Sequence, residues 1–406
     1  MPLRPEREIP PTAGLPLRAS DLMPGPAQLA ERASRHFSLP DTSLHCSGSA
    51  AFYVALRTLA ARQPKRHSVV IPAFTCPLVP IVIRQAGLVP RLCDLGADHF
   101  DFDPARLGEA CDEDTLAVVP THLGGRVANV AYAMAIAARV GAFVVEDAAQ
   151  ALGAQRDERS VGTLGDIGFF SLAAGKGLSI YEGGLLVTRD PALGAELTET
   201  ARVLIHHKPA WEYRRSAELL AYAAMYRPRT LGLAYGMPLR RALRRGDPVA
   251  AVGDDFPPTI PLHRVGRWRD AVGTRALERL PAFLQVTAAL AHRRLPRLNG
   301  IEGVRVFADD AGDKGTWPYL LVNMPDGLSR DAALARLWHT GVGVSRLFIH
   351  ALPDYAYLGD MHGGKDVPNA RDFAARTLTI SNSPWLDDET FEHICVVLEA
   401  SIKLSH

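Results

Sequence analysis

In FFSLAAGKGLSIYEGG, residues 169–184, a single lysine, Lys176, stands between Gly175 and Gly177 on a bend joining two apolar runs. A lysine in a desolvated pocket has a lowered pKa and can attack an aldehyde. A solvated surface lysine is the ordinary alternative. In AFVVEDAAQALGA, an apolar run delivers Glu146 and Asp147 to its carboxyl end, with Gln150 three residues beyond Asp147. A carboxylate there can face a cationic ring nitrogen, or can cap a following helix. In LHCSGSAAFYVAL, the small residues Ser47, Gly48, Ser49 and Ala50 precede a helical pattern. Free N–H groups at a helix start, with a hydroxyl beside them, suit a phosphate, although such a stretch is also a common cap. An amine, a carboxylate and a phosphate cup together meet the needs of pyridoxal phosphate.

These groups need a scaffold. HSVVIPAF, VPRLCDL, TLAVVPTHLGG and AFVVEDAA read as strands, while CPLVPIVIRQAG and VAYAMAIAARVG read as helices stopped by Gly87 and Gly141. The alternation argues for an α/β domain with a mostly parallel sheet, whose ligands sit at the carboxyl ends of the strands. Residues 1–25 are proline-rich and read as an N-terminal arm, 26–285 as the large cofactor-binding domain, and 290–406 as a smaller C-terminal α/β domain. In that last part WPYLLVNM is strand-like, SRDAALARLWHTG helical and DETFEHICVVLEASIKL an amphipathic closing helix. No GxxxxGK[ST] or strand-linked GxGxxG occurs, and GTLGDIG at 162–168 has another spacing, which weighs against nucleotide-binding loops.

With 406 residues, 47% hydrophobic and 22% charged, at a net charge of +1, the chain has no global basic signal for nucleic acid. Its five cysteines show no CxxC, and the His206–His207 pair has no carboxylate or cysteine beside it, so no metal is expected. An odd cysteine count, and a start (MPLRPEREIPPTAGLPLR) without an apolar leader, point to reduced thiols and a cytoplasmic location. No run of about 18 apolar residues suggests a membrane span. Residues 205–255 form a basic insert, in which 214–245 carries eight arginines and one glutamate. It reads as a pair of helices packed on the body with a solvated basic face. The alternative is contact with an acidic membrane surface or a phosphorylated substrate.

VVEDAAQALGA, then VGTLGDIGFFSL, Lys176 and EGGLLVT resemble the DegT/DnrJ/StrS sugar aminotransferases, a branch of the fold type I pyridoxal-phosphate enzymes. CSGSAA, IPAFTCP, VVPTHLGG and LTISNSPWLDDETFEHI follow in the family's order, so the resemblance spans roughly residues 30–400. It implies the aspartate-aminotransferase-like fold, a homodimer with shared active sites, and transfer of an amino group from an amino acid such as glutamate to a nucleotide-linked keto-sugar. It implies Lys176 as the cofactor lysine, Asp147 as partner of the pyridine nitrogen, and Gln150 near the phenolic oxygen. Ser171, with Gly48, Ser49 and Ala50, resembles the phosphate ligands.

The chain also departs from the family. Cys76 stands where an aromatic stacks on the ring, and Ala173–Ala174–Gly175 replaces His-Pro-Thr. LHRVGRW, at 262–268, lacks the Asn that reaches the neighbouring subunit's phosphate, leaving His263 or Arg264 for that role. His122 reads equally as a pocket residue or a satisfied loop histidine. Retention of Lys176, which a dehydratase subgroup replaces by histidine, favours amine transfer. The rival readings are a cofactor-binding sensor without catalysis and an aminotransferase acting on a non-sugar ketone.

Overall fold

The computed structural model describes residues 7–363 and 366–405. The first six residues of the expected arm, and His406, lie outside them. In chain order, the first half contains α1 (Leu29–Phe37), β1 (Ser43–His45), α2 (Gly48–Arg62), β2 (Ser68–Pro72), α3 (Leu78–Gln85), β3 (Val89–Cys93) and α4 (Pro104–Ala110). Next come β4 (Thr115–Val118), α5 (Val130–Val140), β5 (Phe143–Asp147), the short strands β6 (Gln155–Arg156) and β7 (Arg159–Ser160), β8 (Ile167–Ser171) and β9 (Gly184–Thr188).

Seven of these strands make one sheet in the order β1-β9-β8-β5-β4-β2-β3. Strands β3, β2, β4, β5 and β8 run parallel; β9 runs against them, and β1, antiparallel to β9, points the same way as the five. All five residues of β2, and all of β4, are buried, because helices cover both faces and no polar alternation is called for. The strands expected from their apolar runs are all present. Helix α5 opens on the Asn129 side chain, which accepts the Tyr132 N–H, and stops at Gly141 with φ +70°. Pro80 is tolerated in α3 because it falls in the first turn, where its missing N–H has no partner to lose.

The insert follows β9 and α6 (Pro191–Leu204) as α7 (Pro209–Met225), a single wide turn at Gly232–Gly236, α8 (Met237–Arg244) and α9 (Pro248–Val252). Helices α10 (Arg267–Leu277) and α11 (Leu280–Asn299) then lead to the second half. That half has β10 (Arg305–Val306), β11 (Asp313–Lys314), β12 (Tyr319–Asn323), α12 (Gly327–Leu337), β13 (Val344–Ser345), α13 (Pro368–Arg376), β14 (Thr377–Ser381) and α14 (Asp388–Ser405). Its antiparallel sheet is ordered β10-β12-β14-β13, and β11 joins β6 and β7 in a small third sheet. Arg156 ties the two halves there by a bidentate pair with Asp313, at 2.7 and 2.6 Å. Among the described residues, no helix is long and apolar enough to cross a membrane.

Two expectations change. The described part of the arm is extended as far as a short 3-10 helix at Ala19–Leu22, and it is packed rather than free. Ile9, Leu15 and Leu17 are buried, and backbone N–H groups of Ile9, Ala13 and Leu15 bond to Gly341, Pro318 and Gly177. The insert has three helices rather than two; it keeps a solvated basic face, with Arg214, Arg229, Arg241, Arg244 and Arg245 exposed, but part of it is enclosed. Leu219 is fully buried, and Arg240 is enclosed against the Glu8 carboxylate at 2.8 Å.

Candidate active site

Asp147 is the last residue of β5, and Lys176 lies in the loop between β8 and β9. Strands β5 and β8 are parallel neighbours, with Asp147 opposite Phe169. Adjacency in the sheet therefore brings together two residues 29 apart in sequence. The lysine loop is held by its own backbone, with the Ala174 N–H on Tyr181 O and the Lys176 N–H on Ala173 O. Gly175 has φ +81°, and a Cβ there would lie 3.0 Å from Thr12 Oγ1, so glycine is required. Thr12 of the arm donates its hydroxyl to Gly175 O at 2.6 Å.

Lys176 and Asp147 line one cavity of about 720 Å³. The lysine amine makes no hydrogen bond or ion pair among the described residues. Burial pulls its pKa below the ordinary lysine value, opposed by Cys76 and Asp147. Burial likewise raises the Asp147 carboxyl, opposed by the Ala149 N–H and the charges of Lys176 and His122. The capping alternative for Asp147 gives way to a local turn: no helix follows, and its Oδ1 accepts the Ala149 N–H at 3.1 Å. Cys76 lines the cavity, and burial pushes its thiol up to about 12, so it is a neutral soft contact.

Glu146 points the other way, as alternation along a strand demands. Its carboxylate accepts N–H bonds from Gly162, Leu164 and Gly165 at 2.8, 2.6 and 2.7 Å, and faces His122 Nε2 at 3.0 Å. His122 Nδ1 accepts the Ala128 N–H at 3.0 Å. His122 thus donates from Nε2, and its ring is fixed as cavity wall. Both readings of this histidine hold at once: it is satisfied, and it lines the cavity. Sequence reasoning passed over Glu146, although a Glu-Asp pair at a strand end puts the two side chains on opposite faces.

Gly48 and Ser49, in the first turn of α2, line the same cavity. Ala50 does not: its N–H is bonded to the Ser47 hydroxyl at 3.0 Å, as a helix cap. The Ser171 hydroxyl faces the cavity and accepts only a long bond from the Ala173 N–H, at 3.3 Å. Gln150 accepts from the Gly124 N–H and the Tyr319 hydroxyl, leaving its Nε2 without a described protein partner. Neither His263 nor Arg264 lines the cavity of its own chain. His263 is fully enclosed near Glu182 and Glu212, and Arg264 donates to Ile205 O.

The donor set fits pyridoxal phosphate: an unpaired lysine amine, a buried acid on the adjacent strand, and free N–H and hydroxyl groups at a helix start. Gly48 is packed closely, since a Cβ would lie 3.1 Å from Ser171 Cβ, so the helix start and Ser171 form one cradle.

The insert closes the cavity. Tyr222, Met225, Tyr226, Leu231 and Tyr235 line its outer half, with Asp254 at one end. Nothing in the sequence singled out Asp254. Its Oδ2 accepts the Tyr355 hydroxyl at 2.5 Å and the Ile349 N–H at 3.1 Å. Burial pushes this carboxyl up from 3.8 to about 6, so the folded chain keeps a proton there that the unfolded chain loses. Stability is therefore expected to fall as pH rises from about 4 to about 6, by at most about 3 kcal/mol from this group. Denaturant melts of wild type and Asp254→Asn at pH 4 and 7 check it. The Asn variant should lose that part of the pH dependence, and parallel curves for the two proteins would rule it out.

The family model described as DegT/DnrJ/EryC1/StrS aminotransferase matches residues 31–223 and 264–399. The chain is 28% identical over 368 residues to the spore coat polysaccharide biosynthesis protein SpsC of Bacillus subtilis, covering 88% of this chain and 84% of that protein. It is 35% identical over 162 residues to the UDP-N-acetyl-3-dehydro-alpha-D-glucosamine 3-aminotransferase of Acidithiobacillus ferrooxidans, covering 40% of this chain. That match spans only 42% of the relative's length. Among solved structures, DesI in the presence of its TDP-sugar product superposes with a TM-score of 0.72 at 21% identity, covering 98% of this chain and 95% of the other.

Proposed function

The chain belongs to the DegT/DnrJ/EryC1/StrS family of pyridoxal-phosphate-dependent aminotransferases, and from that premise we propose that it moves an amino group from an amino acid, with glutamate the expected donor, to the ketone of a sugar. The observation that carries this reading is the unpaired Lys176 amine and the buried Asp147 facing one cavity, Asp147 from the end of β5 and Lys176 from the loop that follows the neighbouring strand β8.

Pyridoxal phosphate supplies an electron sink that makes the α-proton of an amino acid removable. Lys176 would hold the cofactor and, once released, move the proton at the donor's α-carbon as general base; its lowered pKa keeps a share of the amine unprotonated for this. Asp147 would pair with the pyridine nitrogen and keep its proton in place. Gly48, Ser49 and Ser171 would bind the phosphate, and Gln150 Nε2 would reach the ring's oxygen. Pro10, Pro11 and Thr12 of the arm and the tyrosines of the insert add to the cavity wall. A homodimer with shared sites, which the family resemblance supports, is part of the same reading.

A nucleotide on the sugar is supported by the names of the UDP-sugar aminotransferase and of DesI with its TDP-sugar, and a place in cell-surface polysaccharide synthesis by SpsC. The test is to load the protein with cofactor, add glutamate, and follow the cofactor's absorbance for the donor half-reaction. Keto-sugars are then supplied and amine gain read by mass spectrometry. Cofactor bound without any donor half-reaction would favour the sensor reading instead.

A further inference from the structure

We infer that Thr12 and Tyr226 are positioning residues for Lys176: residues 12–15 of the N-terminal arm form a strap that holds the lysine loop, and Tyr226 of the insert holds the strap. The amine's role rests on the amine-transfer reading. The bonds that position it are made within one chain, so a second copy completing the cavity does not have to supply them.

Residues 172–183, between β8 and β9, form neither helix nor strand, so no ladder of backbone bonds holds Lys176 in place. The arm supplies bonds instead. The Thr12 hydroxyl donates to Gly175 O at 2.6 Å, and the Leu15 N–H donates to Gly177 O at 2.9 Å. The residues on both sides of Lys176 are thereby tied to one segment, with Thr12 and Gly175 163 residues apart in sequence. Gly14 lets that segment come close. A Cβ there would lie 3.0 Å from Lys176 O and 2.8 Å from Tyr226 Oη.

The strap is itself held. Pro10 and Pro11 bias the residues before them to extended backbone. Tyr226 Oη serves in both its roles, accepting the Gly14 N–H at 2.9 Å and donating to Thr12 O at 3.0 Å. The Tyr226 ring is buried and stacks on Tyr222, with centroids 4.8 Å apart. Arg227 donates to Leu17 O at 2.6 Å, and the buried Glu8–Arg240 pair, at 2.8 Å, anchors the arm's start. One hydroxyl thus joins insert to strap, and the other joins strap to lysine loop. Burial keeps the Lys176 amine below its ordinary pKa, with Cys76 and Asp147 the titratable groups that oppose it. A loosened strap lets water reach the amine and raises that pKa.

The experiment compares wild type with Thr12→Val, Thr12→Ser and Tyr226→Phe, each first checked for folding by a thermal melt. In cofactor-free protein, acetylation of Lys176 by acetic anhydride is followed against pH by peptide mass spectrometry. The midpoint should rise by about one pH unit in Thr12→Val and Tyr226→Phe, and stay with wild type in Thr12→Ser, which keeps the hydroxyl. In cofactor-loaded protein, the glutamate half-reaction at saturation should slow about tenfold in the first two, with half-saturating glutamate changed less than about twofold. A Thr12→Val midpoint equal to wild type overturns the inference, whatever the half-reaction does. So does a Thr12→Ser as altered as Thr12→Val, or loss of the fold in Thr12→Val, since either makes Thr12 a packing residue. A folded Tyr226→Phe that matches wild type strikes Tyr226 from it, and if Tyr226→Phe does not fold the two Thr12 variants decide. Absence of the glutamate half-reaction in wild type would sink the amine-transfer reading, while midpoints ordered as expected would leave the positioning of Lys176 standing.

Discussion

Lys176→Ala is expected to lower amine transfer by about 10⁴-fold, because one amine serves both as the cofactor's anchor and as the base at the donor's α-carbon. No other lysine or arginine lines the cavity among the described residues, so no neighbour can take over. The fold should survive. The lysine amine has no described bond to lose, and burial disfavours its charge, so the change in stability should stay within about 1 kcal/mol. Steady-state turnover, the visible absorbance of the loaded protein and a thermal melt measure the three claims together. Turnover within tenfold of wild type would remove Lys176 from the mechanism, whatever the spectrum shows.

Asp147→Asn is expected to lower turnover by about 10²–10³-fold, the size seen when a preorganised electrostatic partner is removed. Asn is nearly isosteric and its Oδ1 can still accept the Ala149 N–H, so the local turn is kept. The sign of the stability change separates function from structure. Burial raises the Asp147 carboxyl, so in the absence of cofactor the charge is a burden to the fold. The cofactor-free Asn variant should therefore be as stable as wild type or more so, while the cofactor binds it more weakly. A cofactor-free variant less stable by more than about 2 kcal/mol, with turnover close to wild type, would make Asp147 a structural residue. The two variants differ in what survives: Asp147→Asn should still hold cofactor through Lys176, whereas Lys176→Ala should hold it through the phosphate cradle alone.

Much of the scaffold was legible because apolar runs of four or five residues, alternating with helical patterns, leave little choice but buried parallel strands. Runs ending at Pro72, Val118 and Asp147 became β2, β4 and β5. Strand β1 has three residues and pairs with β9 from far along the chain, so no local pattern announced it. Strands β6, β7 and β11, of two residues each, were invisible for the same reason. Composition told part of the story for the insert. Eight arginines in 214–245 suggested a solvated basic face, and five of them are exposed, but helical position sets each side chain's direction, so Arg240 is buried against Glu8 while Tyr222 and Tyr226 turn inward. His263 was a candidate by alignment alone, and it is enclosed near two glutamates.

The sequence by itself determined the chemistry the chain carries: a lysine on a glycine-bounded bend, an acid at a strand's end, and a small-residue helix start. These are properties of residue type and short spacing, which local sterics and hydrogen bonding control. Tertiary structure alone decided which groups meet and what surrounds them. The pairing of β5 with β8 sets Asp147 beside Lys176, and the packing of the arm and insert turns arginines outward and tyrosines inward over the site. Those outcomes depend on contacts between segments more than 100 residues apart, such as Thr12 with Gly175 and Asp254 with Tyr355, and no local pattern encodes them.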